Sequence, residues 1–123
     1  MSLKPVVSIL LLLMLLPASA FSADCSDAYS CADDAYTQAK RGYNSNNLDD
    51  AHYYARKAMS AAEDAMSTAG ECGCDDAYSA AEEAYDYAKR AFRSDDYDVA
   101  INYLRKAKSS ADDAISCAND CGI

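Results

Sequence analysis

Tryptophan is absent from this sequence of 123 residues, and glycine, proline and histidine are rare, at four, two and one. So little glycine and proline excludes a collagen-like chain and a Gly-rich or Pro-rich low-complexity chain. No GxGxxG or P-loop pattern for cradling phosphates occurs. A single histidine also leaves few schemes of nucleophilic or acid–base catalysis. We therefore expect a protein that is not an enzyme and that uses no cofactor.

Positive charge is scarce as well. Lys and Arg number 11 against 20 Asp and Glu, which gives a formal net charge of −9. Binding to nucleic acid or to an anionic membrane takes a basic patch that neutralises phosphates. We therefore expect neither of these partners.

The first twenty residues have the layout of a cleavable secretory signal. Lys4 forms a basic n-region, residues 6–16 form an apolar run (VVSILLLLMLL), and small residues at Ala18 and Ala20 precede the cut. The run is too short to span a bilayer, which takes about 20 apolar residues. We predict a signal peptide over residues 1–20, a secreted or periplasmic location, and no membrane span after cleavage.

The rest of the chain reads as a duplication with a period of 49 residues. Residues 25–73 align without a gap on residues 74–122, with 26 identities over the 49 positions. The identities include cysteine, tyrosine, Lys-Arg and glycine, which chance similarity in an Ala-rich chain would not place together. We predict two repeats, at residues 21–73 and 74–123, in one compact domain.

Small residues mark one face of each of four predicted helices. In the first segment they recur at spacings of three and four, which draws one stripe along a helix. They are Ala28, Ala32, Ala35, Ala39 and Gly42. Alanine-rich stripes with the same spacing run from Ala51 to Ala69, from Ala77 to Ala91 and from Ala100 to Ala118.

Turn and cap residues separate these segments at 44–47, 70–73 and 94–96. The pattern predicts an all-α fold, in which two duplicated Ala-rich helical hairpins form a disulfide-stapled four-helix up-down bundle. A three-plus-one or swapped arrangement of the helices stays open.

Six cysteines in a secreted chain indicate a disulfide framework, since alanine alone buries little area. Six cysteines allow 15 pairings, and the duplication narrows the choice. The start of one helix in an antiparallel hairpin lies beside the end of the next, and the first and last helices are neighbours in an up-down bundle. The predicted bridges are Cys25–Cys72, Cys74–Cys121 and Cys31–Cys117.

The stretch from Ala84 to Ala107 (AYDYAKRAFRSDDYDVAINYLRKA) resembles a tetratricopeptide-type helical hairpin. Ala88 and Ala100 stand where such repeats pack small residues against each other, and Asp96-Tyr97 stands at the turn. The resemblance covers about half of each repeat, and the period of 49 differs from the 34 of the family. It implies a protein-binding scaffold and names no ligand.

Other residues carry two interpretations. The acidic pairs, from Asp33-Asp34 to Asp112-Asp113, fit a solvated face better than a divalent cation site, because neighbours on a helix do not converge on one ion. Cys72-Gly73-Cys74 fits structural bridges better than a redox dithiol, because the flanking acidic residues would disfavour the reactive thiolate form of a cysteine. His52 lies at the edge of a stripe and fits a packed side chain better than a catalytic base.

Two of the ten tyrosines lie away from the stripes, at Tyr53 and Tyr87. Exposed tyrosine can anchor a protein interface, so we take both as candidate interface residues. The sequence thus favours a non-enzymatic module that binds an unknown protein partner or self-associates. The alternative is a divalent-metal-binding or thiol–disulfide protein of the cell envelope.

Overall fold

The computed structural model describes residues 25–121, so the predicted signal peptide over residues 1–20 lies outside the described part. Within residues 25–121 every regular element is a helix, which confirms the predicted all-α class. The helices are α1 (Ser26–Tyr43), α2 (Leu48–Glu71), α3 (Asp75–Arg93) and α4 (Tyr97–Cys121). None of these helices is both long enough and apolar enough to cross a membrane.

The four helices form an up-down bundle. Each helix packs along its two neighbours, in the ring α1, α2, α3, α4 and back to α1, while the diagonal pairs barely touch. This ring does not fit a three-plus-one arrangement. Since α1–α2 and α3–α4 are opposite sides of the ring, the outer surfaces of the two hairpins face in opposite directions.

The core consists of alanine layers stacked along the bundle axis. A typical layer takes one alanine from each helix, as in Ala39, Ala58, Ala88 and Ala107. All the predicted stripe residues of α1 are buried, Gly42 included. Short side chains let the helices approach closely, and half-buried tyrosine, methionine and isoleucine beside the layers complete the packing.

One layer departs from this rule. Leu104 is fully buried, and Gly42 lies beside it on α1. A Cβ on Gly42 would lie 2.9 Å from Leu104 Cδ1, which is closer than unbonded carbon atoms pack. The large residue on α4 and the missing side chain on α1 therefore depend on each other.

The predicted turn residues end and start the helices. Asn47 caps α2 by accepting a hydrogen bond from the backbone N–H of Asp50 at 2.8 Å. Asp96 likewise accepts from the N–H of Val99 at 3.1 Å in the first turn of α4. Gly73, between the hairpins, has a φ of 74°, in the left-handed region that favours glycine.

Covalent and polar contacts tie the two ends of the bundle. The predicted bridges Cys25–Cys72 and Cys74–Cys121 are both present, and each closes the open end of one hairpin. At the opposite end the Tyr97 hydroxyl donates to the carbonyl oxygen of Ser45 in the other hairpin.

His52 makes a second tie at that end. Its Nε2 lies 2.6 Å from the carbonyl oxygen of Ser94, so Nε2 carries the proton. Its ring also meets Phe92 edge to face, with centroids 5.8 Å apart. His52 is therefore a packed residue that joins the two hairpins.

The predicted bridge Cys31–Cys117 is wrong, because both thiols are free. The two helices are neighbours as expected, but the thiols lie on other sides of them. The Cys31 thiol contacts the Thr68 hydroxyl of α2. Cys117 lies close to Asp76 of α3. The thiols therefore occupy opposite faces of the bundle.

Candidate functional site: the outer grooves of the two hairpins

The surface between the two helices of each hairpin is the best candidate site. We call the α1–α2 surface groove 1 and the α3–α4 surface groove 2. Residues one position before the stripe alanines line both grooves, as Asp34 and Ala61 do in groove 1. The 49-residue offset places Glu83 and Ser110 at the equivalent positions of groove 2. The two grooves are thus two versions of one surface.

Groove 1 contains an open cleft of about 180 Å³. It is lined by Asp34, Gln38, Lys57, Ser60, Ala61 and Asp64. Gln38 donates a hydrogen bond from Nε2 to Asp34 Oδ1, at 3.4 Å. Its amide oxygen, Oε1, is buried and has no hydrogen-bond partner. A buried acceptor without a donor costs free energy, so this amide oxygen is a local gap in the hydrogen bonding of groove 1.

The side chains of groove 2 make contacts with one another that groove 1 lacks. Ser110 replaces Ala61, is only 3% exposed, and donates a hydrogen bond to Glu83 Oε1 at 2.7 Å. Tyr87 replaces Gln38 and stacks on Tyr103, with ring centroids 6.3 Å apart and planes inclined by 26°. The equivalent polar groups therefore already have partners within the chain.

Cations surround the tyrosine pair of groove 2. The Arg90 guanidinium lies 6.0 Å from the Tyr87 ring and 5.9 Å from the Tyr103 ring. The Lys106 ammonium lies 5.7 Å from each ring. Each distance is within the range of a cation–π contact. These four residues, which we call the tyrosine–cation patch, form a basic and aromatic area on an acidic protein.

The two candidate interface tyrosines lie in different places. Tyr53 is 45% exposed and meets Tyr54 edge to face at 5.1 Å beside groove 1. The Lys57 ammonium lies 5.0 Å from its ring centroid. Tyr87 is half-buried in groove 2. The structure therefore does not bring Tyr53 and Tyr87 together.

Each groove also holds one free thiol. Burial raises the pKa of Cys31, and the carboxylates of Asp64, Asp27 and Asp34 raise it further, while the hydrogen bond with Thr68 lowers it. Burial likewise raises the pKa of Cys117, and Asp76, Asp113 and Asp120 add to the effect. Both thiols therefore stay protonated near neutral pH, which opposes a nucleophilic or redox role.

The carboxylates do not gather at one point. In the part of the chain that the structure describes, no group of three or more His, Cys, Asp or Glu side chains is arranged to hold a metal ion. Both residues of each acidic pair are exposed, from Asp33-Asp34 to Asp112-Asp113. Six of the seven pairs lie on the helices, and Asp95-Asp96 lies in the turn before α4.

The sequence reasoning missed Gln38, Ser110 and Tyr103 as site residues. The alignment of the two repeats contains this information, because Gln38 aligns with Tyr87 and Ala61 aligns with Ser110. Comparison with protein-family models, curated proteins and solved structures finds no match for this chain. Function must therefore be inferred from the grooves themselves.

Proposed function

We propose that this protein is a small exported module that acts through protein contacts and catalyses no reaction. The predicted signal sequence and the two bridges support the exported location, because disulfides persist in oxidising compartments. The resemblance of residues 84–107 to a tetratricopeptide-type hairpin supports a binding role. The raised thiol pKa values and the structural contacts of His52 support a role without catalysis.

The tyrosine–cation patch is the observation that carries the proposal. Tyrosine and arginine are enriched in the centres of protein interfaces, because they bury a large area and also make polar contacts. Tyr87, Arg90, Tyr103 and Lys106 combine both properties in groove 2. Since the chain carries a net charge of −9, this cationic patch has the opposite sign to the molecule as a whole. An acidic surface on a partner would complement it.

The test combines self-association with site-specific crosslinking. Sedimentation velocity of the mature protein over a wide concentration range reports whether it binds itself. A photo-crosslinking residue in place of Tyr103 should capture a partner or a second copy in the native compartment. The same residue in place of Tyr29, which is 43% exposed on α1, is the control. A protein that remains monomeric and yields no crosslink above the Tyr29 control would contradict the proposal.

The two unpaired cysteines favour one alternative, a thiol–disulfide or metal-binding protein of the cell envelope. Their separation on opposite faces and their raised pKa values oppose it. Insulin reduction tests the redox activity, and calorimetric titration with calcium, zinc and copper tests metal binding. Activity or saturable heat in either assay would favour the alternative over the proposed module.

A further inference from the structure

We infer that groove 2 binds groove 2 of a second copy of this chain, with the two copies side by side and antiparallel about a two-fold axis. This inference rests on the proposed function, because it names the partner of the tyrosine–cation patch. Three features of the molecule carry it: the separation of charge along the bundle, the order of charges within groove 2, and the tyrosine pair.

Charge is separated along the bundle axis. We call residues 25–38, 60–87 and 109–121, which carry the two disulfides, the bridged half, and residues 39–59 and 88–108 the loop half. The bridged half contains 14 Asp and Glu and no Lys or Arg, whereas the loop half contains ten Lys and Arg and five Asp. All 14 acidic side chains of the bridged half are exposed. An antiparallel pair of copies therefore brings opposite charges together at both ends.

The cations of the loop half keep their charge for contacts outside the chain. Beyond the tyrosine–cation patch, the Lys108 ammonium lies 4.9 Å from the ring centroid of Tyr43. Arg105 donates a hydrogen bond to the amide oxygen of Asn102 at 2.7 Å. A tyrosine ring or an amide oxygen has no net charge, so these contacts orient the cations without neutralising them.

Groove 2 repeats this separation on a single face. Glu83 precedes Arg90 by seven residues on α3, and Asp113 follows Lys106 by seven residues on α4. Seven residues make two helical turns, so the two charges on each helix share a face and lie about 10 Å apart along the axis. Groove 2 thus has an acidic end at Glu83 and Asp113. Its basic end is at Arg90 and Lys106.

This order makes groove 2 complementary to itself. A two-fold axis that passes between the two ends places the basic end of each copy on the acidic end of the other. Both contacts form at once, because a two-fold contact uses the same surface on each copy. The acidic surface that the tyrosine–cation patch requires is therefore present on the same face of the same chain.

The tyrosine pair supplies buried area that charges alone lack. Exposed ion pairs contribute only about 0–1 kcal/mol each, so a specific contact also needs apolar surface. Tyr87 lies between Glu83 and Arg90 on α3, and Tyr103 stacks on it. Helices of 19 and 25 residues give a face of about 30 Å by 20 Å, or about 600 Å² per copy. This is at the low end of specific interfaces, so we expect a Kd of about 10–100 µM.

Groove 1 has the same order of charges without the tyrosine pair. Asp34 and Asp64 lie at its acidic end, and Arg41 and Lys57 lie at its basic end. Gln38 aligns with one of the two stacked rings of groove 2, so the apolar area at this position is smaller. The second copy should therefore bind to groove 2 and not to groove 1.

The net negative charge of the chain does not prevent this contact. At physiological ionic strength charges are screened over about 8 Å, whereas the helices of groove 2 are about 30–40 Å long. Each end of the groove therefore interacts mainly with the charges that it meets directly.

The test begins with sedimentation velocity of the mature protein at physiological ionic strength. We expect the mass to rise with concentration and to level off at that of a dimer, because a two-fold contact closes on itself. In about 1 M NaCl, where the screening length falls to about 3 Å, the Kd should increase about tenfold or more.

Two charge-reversal variants show which surfaces meet. Arg90→Glu/Lys106→Glu reverses the basic end. Glu83→Lys/Asp113→Lys reverses the acidic end. Either variant alone places like charges opposite each other, so each should weaken self-association about tenfold or more. An equimolar mixture places opposite charges together again and should recover a dimer with one copy of each variant.

A control variant separates this contact from general electrostatics. Lys40→Glu/Arg56→Glu makes the same change of charge at exposed positions of the loop half that lie outside both grooves. It should leave the Kd of the dimer nearly unchanged. Far-UV spectra and unfolding midpoints check that each variant folds, and recovery in the mixture shows the same directly.

Several outcomes would overturn the inference. A protein that stays monomeric, or a mixture that does not recover the dimer, would mean that the two ends of groove 2 do not meet. Equal losses in the control variant, or tighter self-association of Glu83→Lys/Asp113→Lys, would mean that net charge decides. Growth beyond a dimer would indicate a head-to-tail contact. A loss confined to Arg41→Glu/Lys57→Glu would assign the contact to groove 1.

The two proposals fail separately. A monomeric protein that captures a different protein through the photo-crosslinking residue at position 103 would contradict the dimer and leave the binding module in place. A groove 2 dimer in a protein that also reduces insulin or binds a metal ion would contradict the proposed function and leave the dimer in place.

Discussion

Groove 1 and groove 2 share a backbone arrangement and most of their charges, yet their side chains make different contacts. Lys57 and Asp64 of groove 1 have the same residue types at Lys106 and Asp113 of groove 2. Two exchanges, Gln38 for Tyr87 and Ala61 for Ser110, account for the difference. The core stripe therefore sets where a groove lies, and two side chains outside it decide which polar contacts the groove makes.

The cores of the two hairpins also differ by two exchanges at equivalent positions. Gly42 and Ala55 of the first hairpin correspond to Ala91 and Leu104 of the second. Leu104 occupies the space that the missing side chain of Gly42 leaves open.

Removal of either disulfide should have the largest effect. Both bridges have a sequence separation of 47, so the chain-entropy model gives the same loss for each, about 4 kcal/mol in the free energy of unfolding. Urea unfolding of Cys25→Ser/Cys72→Ser and of Cys74→Ser/Cys121→Ser, without reductant, measures both. Losses that differ strongly would show that native contacts, and not loop length, set the value of each bridge.

Truncation of Leu104 should rank next. Leu104→Ala removes the largest fully buried aliphatic side chain, with an expected cost of about 2–5 kcal/mol in the free energy of unfolding. Gly42→Ala alone should cost about 1–3 kcal/mol through the close contact with Leu104, less the gain in helix propensity. In the double variant the new methyl group fills part of the space, so the two costs should not add. Additive costs in urea unfolding would refute the coupling.

The buried serine should contribute less. Ser110→Ala removes the hydrogen bond to Glu83, with an expected loss of about 1 kcal/mol in the free energy of unfolding. Ser109→Ala is the control, because Ser109 is exposed on the same helix. Thermal or urea unfolding that gives equal values for the two variants would mean that this hydrogen bond does not contribute to stability.

The smallest effects concern the free thiols. Intact mass after alkylation of the unfolded protein should show two modified cysteines without reductant and six with it. In the native protein, alkylation by iodoacetamide at pH 8 should be slower than that of glutathione, because the raised pKa of each thiol keeps it protonated. The rate should increase as the pH rises through the folded-state pKa.

Asp64→Asn sharpens the comparison of the thiols. The Asp64 carboxylate raises the pKa of Cys31 and is not among the groups that act on Cys117. The variant should therefore accelerate alkylation at Cys31 and leave Cys117 unchanged, as peptide mapping by mass spectrometry would show. Equal acceleration at both thiols would indicate a change in overall charge or in folding.

Much of the fold follows from local patterns in the chain. Small residues spaced by three and four place the stripes, and Asn47, Gly73 and Asp96 separate the helices. The bridges Cys25–Cys72 and Cys74–Cys121 follow from the antiparallel path of a hairpin. These features depend on sequence neighbours and on which ends of the helices meet, so the spacing of small residues, the turn residues and the duplication together are enough to predict them.

The sequence by itself thus determined four helices, their buried faces and the two bridges that close the hairpins. Only the tertiary structure decided which flank of each buried face meets which neighbouring helix. A stripe has the same spacing whether the bundle turns to the right or to the left, but the handedness decides whether Cys31 faces α2 or α4. The handedness of the bundle also places Gln38 and Asp34 of α1 beside Ala61 and Asp64 of α2. These four residues are part of the lining of the cleft in groove 1.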